Sequence, residues 1–120
     1  MNRQNVIDYI RAEYDVDYEQ LWMKYPDFFV FRNRQNKKWF ALVADVEKAK
    51  LGLTGEGKVD VVNLKCDPLL LGSLRLNPGY LPAYHMNKKS WITVLLDGTV
   101  PAEEIKSLID LSYDLIEQKK

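Results

Sequence analysis

The sequence predicts an α+β domain: an antiparallel β-sheet packed by N- and C-terminal helices, in the order α-β-β-β-α-β-α. Three observations point there. Apolar residues recur at helical spacing near both ends of the chain, four short runs between them are rich in aromatic and β-branched residues, and turn formers separate the runs. With 120 residues and 47% hydrophobic content, one domain spanning 1–120 buries enough surface for a core without staples.

The first helix is expected near residues 3–13, where Val6, Ile7, Ile10 and Tyr14 fall on one face and Asn2 or Asn5 supplies a cap. A connecting stretch, VDYEQLWMKYPD, follows, with Pro26 marking entry to the sheet. FFVFR (28–32) and KWFALVA (38–44) read as strands joined by the short polar segment NRQNK, and so as antiparallel neighbours. LGLTGEGK is a glycine-rich loop. It fails the phosphate-loop pattern, which requires Ser or Thr where Val59 stands. VDVVNLK (59–65) makes a third strand. Asp67-Pro68 starts a short helix, LLLGSLR, which Asn77-Pro78-Gly79 breaks. Trp91 to Leu96 is the fourth strand, stopped by Asp97-Gly98. Pro101 opens the last helix, with Glu103 and Glu104 in its first turn and Lys119 and Lys120 at its end, placements that suit the helix dipole. Ile105, Leu108, Ile109, Leu115 and Ile116 line its apolar face, and Ser112 interrupts it.

Seventeen basic and seventeen acidic residues cancel, yet residues 1–96 carry +3 and residues 97–120 carry −3. Between Phe28 and Ala44 stand Arg32, Arg34, Lys37 and Lys38 with no acidic residue. A neutral total argues against strong non-specific nucleic-acid binding but permits one basic face. The N-terminus, MNRQNVIDYIRAEYD, has charges throughout and no apolar signal region, and no apolar run approaches a bilayer span. A cytoplasmic protein without membrane association is expected.

With one histidine, His85, and one cysteine, Cys66, no His/Cys metal cluster can form within the chain, and neither a metal nor any other cofactor is expected. Cys66 reads as a small buried residue. A basic role for His85 would need a nucleophile and an orienting acceptor; Ser90 and Asp97 are near in sequence, but no local pattern fixes such geometry. No catalytic residue is assigned, and the protein is expected not to be an enzyme. Cations beside an aromatic can clamp phosphates and stack bases. The alternative for the hairpin is a solvated tip whose charges discourage edge pairing, with Trp39 in the core. If the hairpin acts with Lys88 and Lys89, six cations facing duplex DNA give a salt slope of about −4 to −5.

GYLPAYHMNKKSWITVLLDGTVPAEEI, residues 79–105, resembles the signature region of the MmcQ/YjbR family of small bacterial proteins, through Gly79, Tyr80, Pro82, Tyr84, His85, Asn87, Lys88, Trp91, Asp97, Gly98 and Pro101 among others. Ser90 departs from the pattern, where the family often has a second histidine, which weakens any paired-histidine chemistry. The resemblance implies a fold similar to bacterial frataxin (CyaY-like), agreeing with the element order above, and a proposed DNA-binding role. It does not carry iron binding with it, since the first helix mixes Arg3 and Arg11 with Asp8 and Glu13.

Two functions compete, ahead of a third and least supported one, an enzyme of unrecognised type. One is nucleic-acid binding, DNA included, through Arg32, Arg34, Lys37, Lys38, Lys88 and Lys89. The other is a non-catalytic small-molecule or protein-interaction module using Tyr84, His85, Asn87 and Lys88. In either case Tyr80, Pro82, Tyr84 and Trp91 are expected to shape the stretch structurally, leaving His85, Asn87 and the two lysines displayed.

Overall fold

Asn2 starts the first helix (α1, Arg3–Tyr14) with a reciprocal cap: its side chain accepts from the Asn5 amide at 2.8 Å, and the Asn5 side chain accepts from the Asn2 amide at 2.9 Å. Both asparagines raised by the sequence are therefore used, in an arrangement typically worth about 1 kcal/mol. The computed structural model describes residues 1–117, and Lys119 and Lys120, expected at the end of the last helix, lie outside them.

Five strands follow: β1 (Phe29–Arg32), β2 (Trp39–Glu47), β3 (Lys58–Lys65), β4 (Tyr80–Pro82) and β5 (Trp91–Leu95). They form one sheet in the order β1-β2-β3-β5-β4, and every neighbouring pair is antiparallel. The α+β antiparallel fold read from the sequence holds. Its element order is amended by one strand, to α-β-β-β-α-β-β-α. β4 escaped the sequence because three residues are too few to show alternation and Pro82 argues against a strand. Pro82 is tolerated because β4 is the sheet's edge. β2 also runs to Glu47, beyond the expected Ala44, as Val46 continues the buried alternation.

α1 and the last helix (α3, Ala102–Glu117) cover one face of the sheet. Val6, Ile7 and Ile10 from α1 and Ile105, Leu108, Ile109 and Ile116 from α3 meet Phe31, Phe40, Val43, Val62, Ile92 and Val94. Ser112, the polar break on α3, is fully buried as a joint: its hydroxyl donates to the Phe40 carbonyl at 2.6 Å and accepts from the Lys65 amide at 2.9 Å. Tyr9 and Tyr14 lock α1 to α3 by donating to Asp110. Burial, and then the Asp110 carboxylate, push the Tyr9 phenol up to about 12 and raise Tyr14 further, so both remain proton donors at neutral pH. The short helix α2 (Pro68–Leu74) begins as expected, with the Asp67 side chain accepting from the Leu69 amide.

The opposite face carries a second apolar layer of Phe28, Val30, Leu42, Ala44, Val46, Val61 and Leu95. Connecting segments cover it, contributing Trp22, Leu51, Leu53, Tyr84 and Met86. This loop-covered face holds the candidate site.

Candidate functional site

The antiparallel register brings the basic hairpin and the 83–90 loop to one end of the sheet. Arg32 pairs with Trp39, Ala41 with Leu64, Leu64 with Ile92 and Lys65 with Trp91. The six predicted cations therefore share an end, with Lys65 between them over the Trp91 ring at 5.7 Å. They do not form a free basic surface. Arg34 bonds Asp15 at 2.6 Å and Arg32 bonds Glu19 at 3.2 Å. Both arginines line a shallow open groove with Asp15, Asp17, Glu19 and Lys37, so carboxylates balance the cations there. The acid-free stretch in the sequence missed this, because the carboxylates come from the connection after α1.

The acidic end of α3 also meets the hairpin. Asn36 donates to the Ile116 carbonyl at 2.9 Å, and Asn33 donates to Glu117 at 3.3 Å. Buried Asn33 accepts from the Gln35 and Asn36 amides, and Lys37 takes a left-handed φ of 64°, so the tip is a built turn. Lys37, Lys38, Lys88 and Lys89 are exposed, and none of the four joins an ion pair among the described residues.

The 83–90 loop is tied to the outer sheet face by a polar clamp that the sequence did not reveal. Asn63 and Thr93, directly opposite on β3 and β5, are completely buried. Thr93 donates to Asn63, Asn63 donates to the Tyr84 carbonyl at 2.9 Å, and Thr93 accepts from the Tyr84 amide at 2.9 Å. With Tyr84 held at both backbone groups, the chain turns through His85 at a positive φ of 60°, a conformation unusual for a residue with a Cβ. The His85 ring packs on Tyr84, centroids 4.1 Å apart, and stays exposed. Asn87 spends its side chain inside the loop, accepting from the Lys89 amide, while its carbonyl accepts from Ser90 and Trp91. Of the four predicted contact residues, His85 and Lys88 are displayed, Tyr84 is half-buried and Asn87 builds the turn.

His85 and Met86 form one wall of a cleft of about 250 Å³ whose floor is Leu42. The other wall is aromatic: Trp22, Tyr25, Phe28 and Trp39. Trp22 stands nearly perpendicular to Trp39 and Phe28, at 5.8 and 6.0 Å, and Tyr25 stacks on Phe28 at 4.8 Å. Consecutive turns, Tyr25 amide to Trp22 carbonyl and Phe28 amide to Tyr25 carbonyl, place these three aromatics side by side. Their spacing of three residues within LWMKYPDFF is the signal that could have found them. Trp39, expected in the core, is half-buried and lines the cleft. A bulge opposite Phe31 and Arg32 sends Phe40 to the helix face and leaves Trp39 on the outer face, with the Arg32 guanidinium 5.8 Å from its ring.

The remaining groups offer little reactivity. Burial, then Asp67, raises the Cys66 thiol, opposing thiolate formation. Hydrogen bonding from Thr99 holds the Asp97 carboxyl below its ordinary range, at the end of β5 remote from Ser90. Burial and Glu104 raise Tyr80. Among the described residues no group of three or more His, Cys, Asp or Glu side chains is placed to hold a metal, and no helix is long and apolar enough to cross a membrane.

Known proteins share this framework. The chain is 38% identical to the uncharacterized protein YyaQ of Bacillus subtilis, over 96% of this chain and 98% of that protein. It is 37% identical to the uncharacterized protein YjbR of Escherichia coli K12 over 62% of this chain and 55% of that one. A crystal structure of a protein from Pseudomonas syringae superposes with a TM-score of 0.94 at 52% identity, covering 96% of this chain and 98% of that one. One from Deinococcus radiodurans gives 0.70 at 30% identity, covering 94% and 79%. The YjbR family model matches residues 12–115, which takes in the hairpin, the clamp and both walls of the cleft, and the chain belongs to the YjbR family.

Proposed function

We propose that the protein is a non-catalytic binding module whose ligand site is the aromatic cleft closed by His85 and Met86. One observation carries this reading: aromatic side chains from the 22–28 connection and β2 converge with His85 and Met86 on an apolar cleft. Concave, mostly apolar surfaces with a few polar groups at the rim are where small ligands bind. The Arg32–Glu19 ion pair beside Trp39 and the Asn63–Thr93 clamp brace the two walls.

The test is an amide and indole NMR titration against a library of small ring compounds. Ligands should move the Trp22 and Trp39 indole signals and the Met86 amide, and leave Trp91, across the sheet end, in place. Tyr25→Ala, at a half-exposed ring, should weaken those ligands by about 1 kcal/mol, or roughly fivefold, with only the modest stability loss of its stacking on Phe28. His85→Asn should weaken them too, since Asn tolerates the left-handed backbone but lacks the ring. No hits, or hits that map elsewhere, would sink the cleft as the site.

Nucleic-acid binding at the sheet end is a second reading, favoured by the four lysines outside ion pairs. With Arg32 and Arg34 engaged by carboxylates, about four phosphates are available, and the salt slope on duplex DNA should be about −3 to −4. Reversing Lys37 and Lys38 to glutamate should weaken binding and flatten the slope by about 2, measured by fluorescence anisotropy between roughly 50 and 200 mM salt. An unchanged slope removes the hairpin from the interface.

A further inference from the structure

We propose that the cleft takes the base of a nucleotide, either free or as an unpaired residue of a single strand, with its phosphate held by the lysines at the sheet end. This rests on the cleft being the ligand site and names the ligand. Size comes first. At about 250 Å³ the cleft lies below the range of roughly 300–1,000 Å³ usual for drug-sized ligands, so it suits one ring system with its substituents outside.

The wall chemistry selects a flat ring. Tyr25 is 52% exposed, and Trp22 and Trp39 are half-buried, so a ligand can still reach ring surface on this side. Stacking of a base on such side chains is worth about 1–3 kcal/mol and tolerates every base. His85 at the mouth supplies a hydrogen-bonding edge beside Met86.

Charge then selects an anion. No carboxylate lines the cleft among the described residues, and aromatic faces alone would take a cation as readily as a flat ring, so the choice rests on the charges at the rim. Both walls run directly into lysines. Lys38 precedes Trp39, and Lys88 follows Met86 by two residues, within about 7 Å along the chain. These lysines lie at the same sheet end, exposed and outside ion pairs among the described residues. A ring in the cleft would carry a phosphate to that end. Duplex DNA keeps its bases stacked on each other and offers the cleft nothing.

The experiment is one NMR titration series with indole, adenosine, adenosine monophosphate, a ten-residue oligothymidine and a self-complementary duplex. Adenosine and its monophosphate should shift the Trp22 and Trp39 indoles and Met86. Lys38→Glu with Lys88→Glu should weaken the monophosphate about fivefold and leave adenosine unchanged. Tyr25→Ala should weaken both. Tighter binding of the oligothymidine than of the monophosphate would make the unpaired strand the source; the reverse would make it the free nucleotide. Entry of indole without adenosine, its monophosphate or oligothymidine overturns the nucleotide assignment while the cleft stands. Failure of all of them, indole included, overturns both readings. Duplex binding as tight as single-strand binding, and indifferent to Tyr25→Ala, also overturns the proposal, since phosphates alone would then suffice.

Discussion

Replacing Asn63 with leucine is expected to lower stability by about 3 kcal/mol and to release the 83–90 loop from the sheet. Leucine keeps the branched outline but is bulkier, so some overpacking at this fully buried position adds to the polar loss. The Tyr84 carbonyl and the Thr93 hydroxyl, both bonded by Asn63, would lose their partner in a buried setting, at about 1–3 kcal/mol each, with some return from the added apolar surface. Thermal unfolding should fall by roughly 10 °C. Thr93→Val should behave similarly, because it strands the Tyr84 amide and the Asn63 side-chain oxygen. The two substitutions act on one network, so the double variant should lose much less than the sum. Hydrogen exchange supplies the second readout: amides of residues 84–91 should exchange faster in Asn63→Leu while those of α1 and α3 keep their order of protection. Additive losses, or uniform exchange throughout, would mean that the clamp does not hold the loop.

The clamp also shows where the sequence stops being legible. Helices and long strands were readable because their signals are local: Val6, Ile7 and Ile10 share a helix face, and the Asn2–Asn5 cap lies within four residues. The clamp joins positions 63, 84 and 93, and nothing in VDVVNLK distinguishes Asn63 from a surface asparagine. Its meaning appears only once β3 and β5 are seen to be neighbours. The charge reading was incomplete for the same reason. Phe28 to Ala44 contains four cations and no acid, yet Asp15 and Glu19 return to it because Glu19 bridges Val30 along the sheet edge, its amide 2.8 Å from the Val30 carbonyl.

His85 sits between these cases. Its prominence as the lone histidine in an aromatic loop was visible, and the structure displays it. Its partners were not visible, since Trp22 and Trp39 lie 63 and 46 positions earlier. The cleft exists because the helices occupy only one face of the sheet. On the other face, short connections cover a large apolar layer, and irregular segments leave a ring-sized gap where they meet. A ligand there would meet the aromatic 22–28 connection and β2 on one side and a clamped loop on the other. That combination favours recognition by shape over rearrangement.

Gly79→Ala is expected to cause the largest loss, about 3–5 kcal/mol, although only one methyl is added. Two costs combine. Gly79 has a φ of 91°, outside the range comfortable for L side chains, at about 1–3 kcal/mol. The new Cβ would also stand 2.5 Å from Val100 Cγ2 and 3.2 Å from Thr99 Cγ2, and Val100 is buried with stiff geometry that cannot swing away. The site couples distant parts of the fold: the Gly79 carbonyl accepts from the Leu95 amide, and Val100 packs in the core below α3. The two costs separate in a denaturation cycle with Val100→Ala. Trimming Val100 should recover the steric share in the double variant and leave the backbone share of about 1–3 kcal/mol. If the double variant loses the full sum of the singles, the clash is absent and φ alone makes glycine necessary. If Gly79→Ala costs less than about 1 kcal/mol, neither effect operates, and the turn into β4 relaxes to a conformation without the positive φ or the Val100 contact.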